Sequence, residues 1–155
     1  MDDQTDNAKV RVPPPIILLV TILIGVAIDH FCPIDFVAKP WSWIVGLTLI
    51  GAGLSAILYC SSFFKKNNTD IKPWKPTTFL IQEGLYQFSR NPIYLSFVLI
   101  LSGAAFIANS VWLLLLGAPF VIVIDRYVIA REEEYLLRKF GDGYAAYLKQ
   151  IRRWL

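Results

Sequence analysis

The sequence contains few of the residues from which metal sites and disulfide frameworks are built. Among 155 residues there is one histidine, His30, and there are two cysteines, Cys32 and Cys60. His30 ends an apolar segment, where a polar residue at a membrane boundary is expected, and Cys60 lies inside another apolar segment. We therefore expect neither a disulfide framework nor a metal site.

Charge is also scarce, since only 17% of the residues are charged, whereas 55% are hydrophobic and the mean hydropathy is +0.50. A soluble domain of this size has no use for so much apolar sequence, but a small multi-span membrane protein does. The net charge of +3 is too small to indicate a nucleic-acid partner. The length favours a single domain over residues 1–155.

Four apolar segments follow one another along the chain, at residues 16–28, 41–64, 92–108 and 111–124. A helix needs about 20 apolar residues to cross the hydrocarbon core, and the two shorter segments are nearly contiguous, so they form a helical hairpin around a tight turn at Asn109-Ser110. The sequence therefore predicts an all-α polytopic membrane protein with about four transmembrane helices.

Local signals refine the second and third spans. Asn91 is expected to cap the third helix and Pro92 to occupy its first position. Small residues lie along the second helix, which predicts close packing inside the bundle; they are Gly46, Ala52 and Ser55, with Gly51 and Gly53.

The two ends of the chain differ in character. Residues 1–12 are polar and predict a disordered tail. From Asp125 onward the chain is charged with a helical period, which predicts an amphipathic helix lying on the membrane and broken near residues 141–143. Its apolar and aromatic stripe comprises Leu136, Phe140, Tyr144, Tyr147 and Ile151.

The distribution of basic residues predicts the orientation. Of 15 lysines and arginines, only Lys39 falls in the loops that four spans place together on one side, and the other 14 share the opposite side. The positive-inside rule makes that side cytoplasmic, with both termini. The protein is thus expected in a cell inner membrane or the endoplasmic reticulum.

Three polar clusters meet at this cytoplasmic face: residues 83–94, 125–126 and 131–134. The first cluster can be explained as a flanking charge with a helix cap, and the second can be explained as an interfacial ion pair. The third reads as a solvated helix face with spaced ion pairs. No cluster taken alone indicates an activity.

Taken together, these clusters resemble the isoprenylcysteine carboxyl methyltransferase family, which is related to the membrane phospholipid methyltransferases. The resemblance covers residues 78–154 and rests on many fixed spacings. The matching residues are Gly84, Tyr86, Arg90-Asn91-Pro92-Ile93-Tyr94, Glu132-Glu133, Leu136, Phe140-Gly141, Tyr144 and Tyr147.

The resemblance implies that S-adenosylmethionine binds at the cytoplasmic end of the hairpin, under the C-terminal helix. Glu132 suits the positive charges of the cofactor, and Tyr86 and Tyr94 suit its adenine or its sulfonium. Thr78 and Asn91 stand where the family often has histidine. The implied cofactor-binding residues are Thr78, Phe79, Leu80, Ile81, Tyr86, Asn91, Pro92, Ile93, Tyr94 and Glu132.

The resemblance also implies an amphipathic methyl acceptor, either a prenylcysteine carboxylate or a lipid head group. Glu133 is the nearest candidate for a base, which an amine or thiol acceptor would require. Val128 stands where the eukaryotic carboxyl methyltransferases carry a substrate-contacting arginine, so Arg126 is the candidate that orients an anionic head group.

Two other functions fit parts of the pattern. Membrane sterol reductases share some of the C-terminal residues, which leaves an NADPH-dependent reductase as an alternative. A small membrane protein with this fold and no activity is the other. The sequence does not indicate the acceptor or the oligomeric state.

Overall fold

The computed structural model describes residues 6–70, 72 and 75–155, and every regular element in that part of the chain is helical. The elements are α1 (Pro14–Phe31), α2 (Trp41–Lys66), a 3-10 turn (Gly84–Gln87), α3 (Pro92–Ala108), α4 (Val111–Phe140) and α5 (Asp142–Gln150). Helices α1, α2 and α4 are long and apolar enough to cross a membrane, and α3 is apolar but shorter, with 17 residues. The predicted all-α polytopic membrane fold is confirmed.

The outer faces of α1 and α2 are apolar, as expected for helices that face lipid. Leu19 and Leu23 on α1 are 55% and 58% exposed, and Leu47 and Leu58 on α2 are 58% and 72% exposed. Large apolar side chains with this exposure mark surfaces that contact something other than water. The hydrocarbon of a bilayer is the medium that covers them.

Helices α2 and α3 approach each other through glycine. A β-carbon added at Gly46 would lie 2.8 Å from the carbonyl oxygen of Gly103, and one at Gly53 would lie 2.8 Å from that of Ser96. No atom lies within 4 Å of the corresponding position at Gly51. The predicted close packing of α2 is therefore confirmed at Gly46 and Gly53, while Gly51 faces open space.

The α3–α4 turn joins two loops at one end of the bundle. Asn109 adopts a left-handed conformation with φ of 52°, and its amide oxygen accepts hydrogen bonds from the backbone N–H groups of Phe36 and Val37 at 3.2 and 3.0 Å. Its amide nitrogen donates to Asp35 at 2.8 Å. The predicted turn at Asn109-Ser110 is confirmed, and it also holds the loop between α1 and α2.

The start of α3 differs from its expected form. Pro92 is the first residue of the helix, but the side chain of Asn91 does not cap it. The Asn91 Nδ2 instead donates to the backbone carbonyl of Arg153 at 2.9 Å, because the C-terminal segment returns to this point.

The helix of the fourth predicted span continues beyond residue 124. Helix α4 continues through a π-helical turn at Ile124–Ile129 and then as regular α-helix from Ala130 to Phe140. The chain breaks at Gly141, whose φ of 51° favours glycine, and α5 follows. The amphipathic region is therefore the last part of α4 together with α5, and the predicted break near residues 141–143 is confirmed.

Residues 6–12, for which the sequence favoured a disordered tail, pack against α4 in the structure. Ala8 and Val10 are 4% and 3% exposed. The Tyr127 hydroxyl accepts the N–H groups of Arg11 and Val12 at 3.1 Å each, and the Tyr135 hydroxyl donates to the Asp6 carboxylate at 2.9 Å. Residues 1–5 of the expected tail lie outside the described residues.

Candidate functional site

A cavity of about 430 Å³ lies where the C-terminal end of α2, the first turns of α3 and the last turns of α4 meet. Helix α5 and residues 77–91 complete its walls, and Ala8, Pro14 and Pro15 line it from the N-terminal side. This volume is in the range of small-molecule sites.

On α3 the lining passes from Tyr94 to Phe97, and on α2 from Phe64 and Ser61 to Ile57, so the deepest lining residues of both helices are apolar. Asn91 lies at the outer end, directly before α3. A ligand with a polar head and an apolar tail matches this gradient.

The structure brings most of the predicted cofactor residues to this cavity. Thr78 is an exception, since it does not line the cavity. Its hydroxyl donates to the carbonyl of Asn68 at 3.3 Å, next to the end of α2. Pro92 is the other exception, and it is buried as the first residue of α3. The predicted residues that line the cavity are Phe79, Leu80, Ile81, Tyr86, Asn91, Ile93, Tyr94 and Glu132.

The carboxylate of Glu132 faces the cavity and accepts a hydrogen bond from the Tyr94 hydroxyl. Tyr94 is 8% exposed, so its hydroxyl has little access to water. Among the residues that the structure describes, no lysine or arginine pairs with Glu132. A carboxylate with two oxygens and one protein donor retains capacity to accept hydrogen bonds from a cationic ligand.

The next residue, Glu133, does not line the cavity. Its Oε1 lies 3.0 Å from Nη1 of Arg90, and its Oε2 accepts from Nη2 of Arg153 at 2.5 Å. Both oxygens are held by guanidinium groups, which leaves Glu133 poorly suited to remove a proton from an acceptor.

Arg126, the other residue predicted to be catalytic, is also away from the cavity. Its side chain is 84% exposed, and its nearest acidic neighbour is Asp125 at 3.7 Å. Arg126 lies in the π turn of α4. Val128 belongs to the same turn and stands where the eukaryotic carboxyl methyltransferases carry a substrate-contacting arginine, but it is fully buried. The structure therefore separates both predicted catalytic residues from the predicted cofactor residues.

Tyr144 and Tyr147 line the cavity, although the sequence placed them in the membrane-facing stripe. They are 3% and 5% exposed, and the Tyr147 hydroxyl donates to the carbonyl of Tyr86 at 2.6 Å. Burial raises the pKa of Tyr147 to about 12 and the pKa values of Tyr144 and Tyr86 well above their usual range. All three are therefore neutral at physiological pH. Their place in the fixed spacing of the resemblance was the sequence signal that could have assigned them to the site.

Arg90 also lines the cavity, and sequence reasoning did not include it in the site. Its Nη1 pairs with Glu133, whereas its Nε is buried and has no hydrogen-bond partner among the described residues. Buried donors of this kind are usually satisfied, so an unpaired one at a cavity wall suits an anionic ligand group.

The fold and the cavity together define a class of protein: a helical integral membrane protein with a cavity of small-molecule size at one end of its spans. The sequence profile of the phospholipid methyltransferase family matches residues 41–143. The chain belongs to this family of membrane methyltransferases. The matched region includes α2, α3 and α4, while Pro14, Tyr144 and Tyr147 line the cavity from outside it.

The chain is also similar to a Haemophilus influenzae protein described as uncharacterized. The two are 46% identical over 65 residues, which is 41% of this chain and all of that relative. No solved structure matches the chain.

Proposed function

We propose that the protein is an S-adenosylmethionine-dependent methyltransferase that binds its cofactor in the cavity and methylates an amphipathic acceptor. The observation that carries this proposal is the Glu132 carboxylate, which faces the cavity beside Tyr94 and pairs with no lysine or arginine in the described part of the chain. Membership of a methyltransferase family supports the same reaction class.

The charges of the cavity fit S-adenosylmethionine, which carries an ammonium, a sulfonium and a carboxylate. Glu132 would hold the cationic part, because its carboxylate has unused acceptor capacity. The unpaired Nε of Arg90 would donate to the carboxylate of the cofactor. Tyr86 and Tyr144 offer aromatic faces to the sulfonium or to adenine.

The chain's own contribution to catalysis is orientation and the exclusion of water. The bound cofactor supplies a methyl group that is already activated by the positive sulfur. Tyr94 fixes the Glu132 carboxylate, and Phe97 and Leu136 keep the deeper wall apolar. Alignment of this kind can supply most of the acceleration of a methyl transfer.

The acceptor enters from the lipid, with its tail along the apolar part of the cavity. Ile57 and Phe97 lie one or more turns deeper in the spans than Ser61 and Tyr94, so a prenyl or acyl chain there remains in an apolar medium. A prenylcysteine carboxylate and a lipid head group both meet this requirement.

A carboxylate acceptor fits the described side chains better than an amine that must lose a proton. Glu133 is held by Arg90 and Arg153 and is not free to act as a base. Tyr86, Tyr144 and Tyr147 are kept neutral by burial. An acceptor that is already a nucleophile needs only to be positioned.

Calorimetric titration of the purified protein tests the cofactor. S-adenosylhomocysteine should bind with a stoichiometry near one, and NADPH should not bind. Binding of NADPH alone would support the reductase alternative. Binding of neither nucleotide would support a membrane protein without this activity.

A further inference from the structure

The C-terminal segment, residues 151–155, lies against the loop that leads into α3. The N–H of Arg90 donates to the backbone carbonyl of Arg152 at 3.0 Å. The backbone carbonyl of Arg153 accepts from Nδ2 of Asn91 at 2.9 Å and from the Ser89 hydroxyl at 3.4 Å. Three consecutive residues before Pro92 are therefore tied to two consecutive carbonyls near the end of the chain.

The side chain of Arg153 reaches the other side of the site. Its Nη1 donates to Asp125 at 3.0 Å, and its Nη2 and Nε donate to the two oxygens of Glu133 at 2.5 and 3.2 Å. Trp154 adds a second bond to Asp125, since its Nε1 donates to the other carboxylate oxygen at 3.0 Å. The side chains of residues 153 and 154 thus attach the C-terminal segment to α4.

One residue therefore connects the two elements that form the polar part of the cavity. The carbonyl of Arg153 holds Asn91, which lines the cavity, and its guanidinium holds Glu133, which directly follows Glu132. Asp125, the other partner of this guanidinium, lies in the π turn at Ile124–Ile129, which precedes Glu132 and Glu133 on α4. The Arg90–Glu133 ion pair joins the same two elements, and one helical turn beyond Asn91 the Tyr94 hydroxyl donates directly to Glu132.

We propose that Arg153 is a positioning residue of the cofactor site, which acts by fixing the entry of α3 against α4. The identity of the ligand rests on the proposed function, whereas the positioning itself concerns only the geometry of this chain. An arginine is required because its planar guanidinium forms parallel hydrogen bonds to Glu133 and reaches Asp125 at the same time. A lysine has a single ammonium group and reproduces only part of this contact.

Arg152 provides a matched control, because it has the same charge and the adjacent position. Its side chain is exposed and forms no hydrogen bond or ion pair with any residue that the structure describes, and its backbone carbonyl accepts from Arg90. Arg153→Gln and Arg152→Gln therefore remove the same charge, but only the first removes the guanidinium bonds to Glu133 and Asp125 on α4, while the Trp154 bond to Asp125 remains in both.

The first measurement is hydrogen exchange of the peptide that covers residues 85–91, which needs no ligand. R153Q should speed exchange at the Arg90 amide, R152Q should leave it unchanged, and R153K should fall between them. Circular dichroism and the melting temperature of the rest of the protein identify any variant that fails to fold. Unchanged exchange in folded R153Q would overturn the proposal.

The second measurement is the affinity for S-adenosylhomocysteine. R153Q should bind about tenfold more weakly, as expected when a hydrogen bond to a charged group is lost, and R152Q should match the wild type. Equal affinities for R153Q and the wild type would contradict a positioning role. If R153Q exchanges faster but the wild type binds no S-adenosylhomocysteine, the positioning of the loop stands and the proposed function fails.

Discussion

Glu132 and Glu133 are neighbours in sequence with different surroundings. Successive residues of a helix point about 100° apart, so two adjacent carboxylates need not share a site. Glu132 faces the cavity beside Tyr94, whereas Glu133 is held by Arg90 and Arg153. Glu132 can accept further hydrogen bonds from a ligand, whereas Glu133 holds together the elements beside the cavity.

Replacement of Glu132 should therefore affect cofactor binding. Glu132→Gln removes the negative charge but keeps a similar shape and a hydrogen-bonding side chain. Binding of S-adenosylhomocysteine should weaken by about 1–3 kcal/mol, the range for a hydrogen bond to a charged group. Isothermal titration of the purified variant measures this difference.

Glu134→Gln is the control for that experiment. Glu134 is 68% exposed and pairs only with Arg138, four residues later on the same helix. Such surface pairs contribute little, so its effect on binding should be small. Similar small effects of the two substitutions would mean that Glu132 does not bind the cofactor and is an ordinary residue of a solvated helix face.

Most of the residues predicted to bind the cofactor line the cavity, whereas Arg126 and Glu133, predicted to be catalytic, do not. The predicted residues from Asn91 to Tyr94 are consecutive in sequence, so the first turn of α3 is enough to bring them to the same place. Arg126 was chosen because it is near Val128, which stands at the family's arginine position, and Glu133 because it is the nearest candidate for a base. Nearness in sequence did not predict that Arg126 is exposed or that Glu133 is held by Arg90 and Arg153.

At the scale of elements, the packing of α2 on α3 fixes one wall of the cavity. Ser61 and Ile57 on α2 and Tyr94 and Phe97 on α3 line it. Close approach at Gly46 and Gly53 keeps these faces together.

Gly46→Ala should destabilise the protein. The added carbon would lie 2.6 Å from Cγ1 of Ile107 and 2.8 Å from the carbonyl oxygen of Gly103, so the helices must separate. Overpacking of this kind costs about 1–3 kcal/mol. Thermal unfolding in detergent, followed by circular dichroism, measures the loss.

Gly51→Ala on the same helix should have the opposite sign. Nothing lies within 4 Å of its added carbon, and alanine is favoured over glycine in a helix by about 1 kcal/mol. A lower melting temperature for both variants would mean that general helix effects, and not the α2–α3 contact, explain the result for Gly46.

The helices of the bundle follow from the sequence more directly than the ends of the chain do. Apolar length, Pro92 and Asn109 mark α3 in the sequence as in the structure. Residues 6–12 look polar and unstructured, but their partners Tyr127 and Tyr135 lie more than 100 positions away. No local pattern contains that contact.

For the whole molecule, the orientation in the membrane is a testable prediction. The distribution of lysine and arginine favours a cytoplasmic location for both termini and for the cavity. The chain itself contains a probe, since Cys32 is exposed at the loop after α1 and Cys60 is buried.

An impermeant maleimide applied to intact cells should label the wild type at Cys32. Cys32→Ser should abolish this labelling. In that background Gln82→Cys, at an exposed position in the loop before the 3-10 turn, should label only after the membrane is permeabilised. The reverse pattern would place the cavity on the non-cytoplasmic side.

If the proposed function is correct, a methyl group is transferred in the cavity to an acceptor whose tail stays in lipid. The lining changes from Asn91 and Tyr94 to Phe97 with depth, which separates a polar head from an apolar tail. Each buried methylene contributes about 0.8 kcal/mol, close to fourfold in affinity, so the apparent KM should fall as the tail lengthens.

The most direct test is transfer of a labelled methyl group from S-adenosylmethionine to prenylcysteines and to lipids of increasing tail length, with E132Q as the blank. The account predicts that one head group is methylated, that long-tailed members of its series are strongly preferred, and that E132Q transfers little. Equal transfer to a tail-less, water-soluble acceptor, or no transfer to any member of either series, would contradict it.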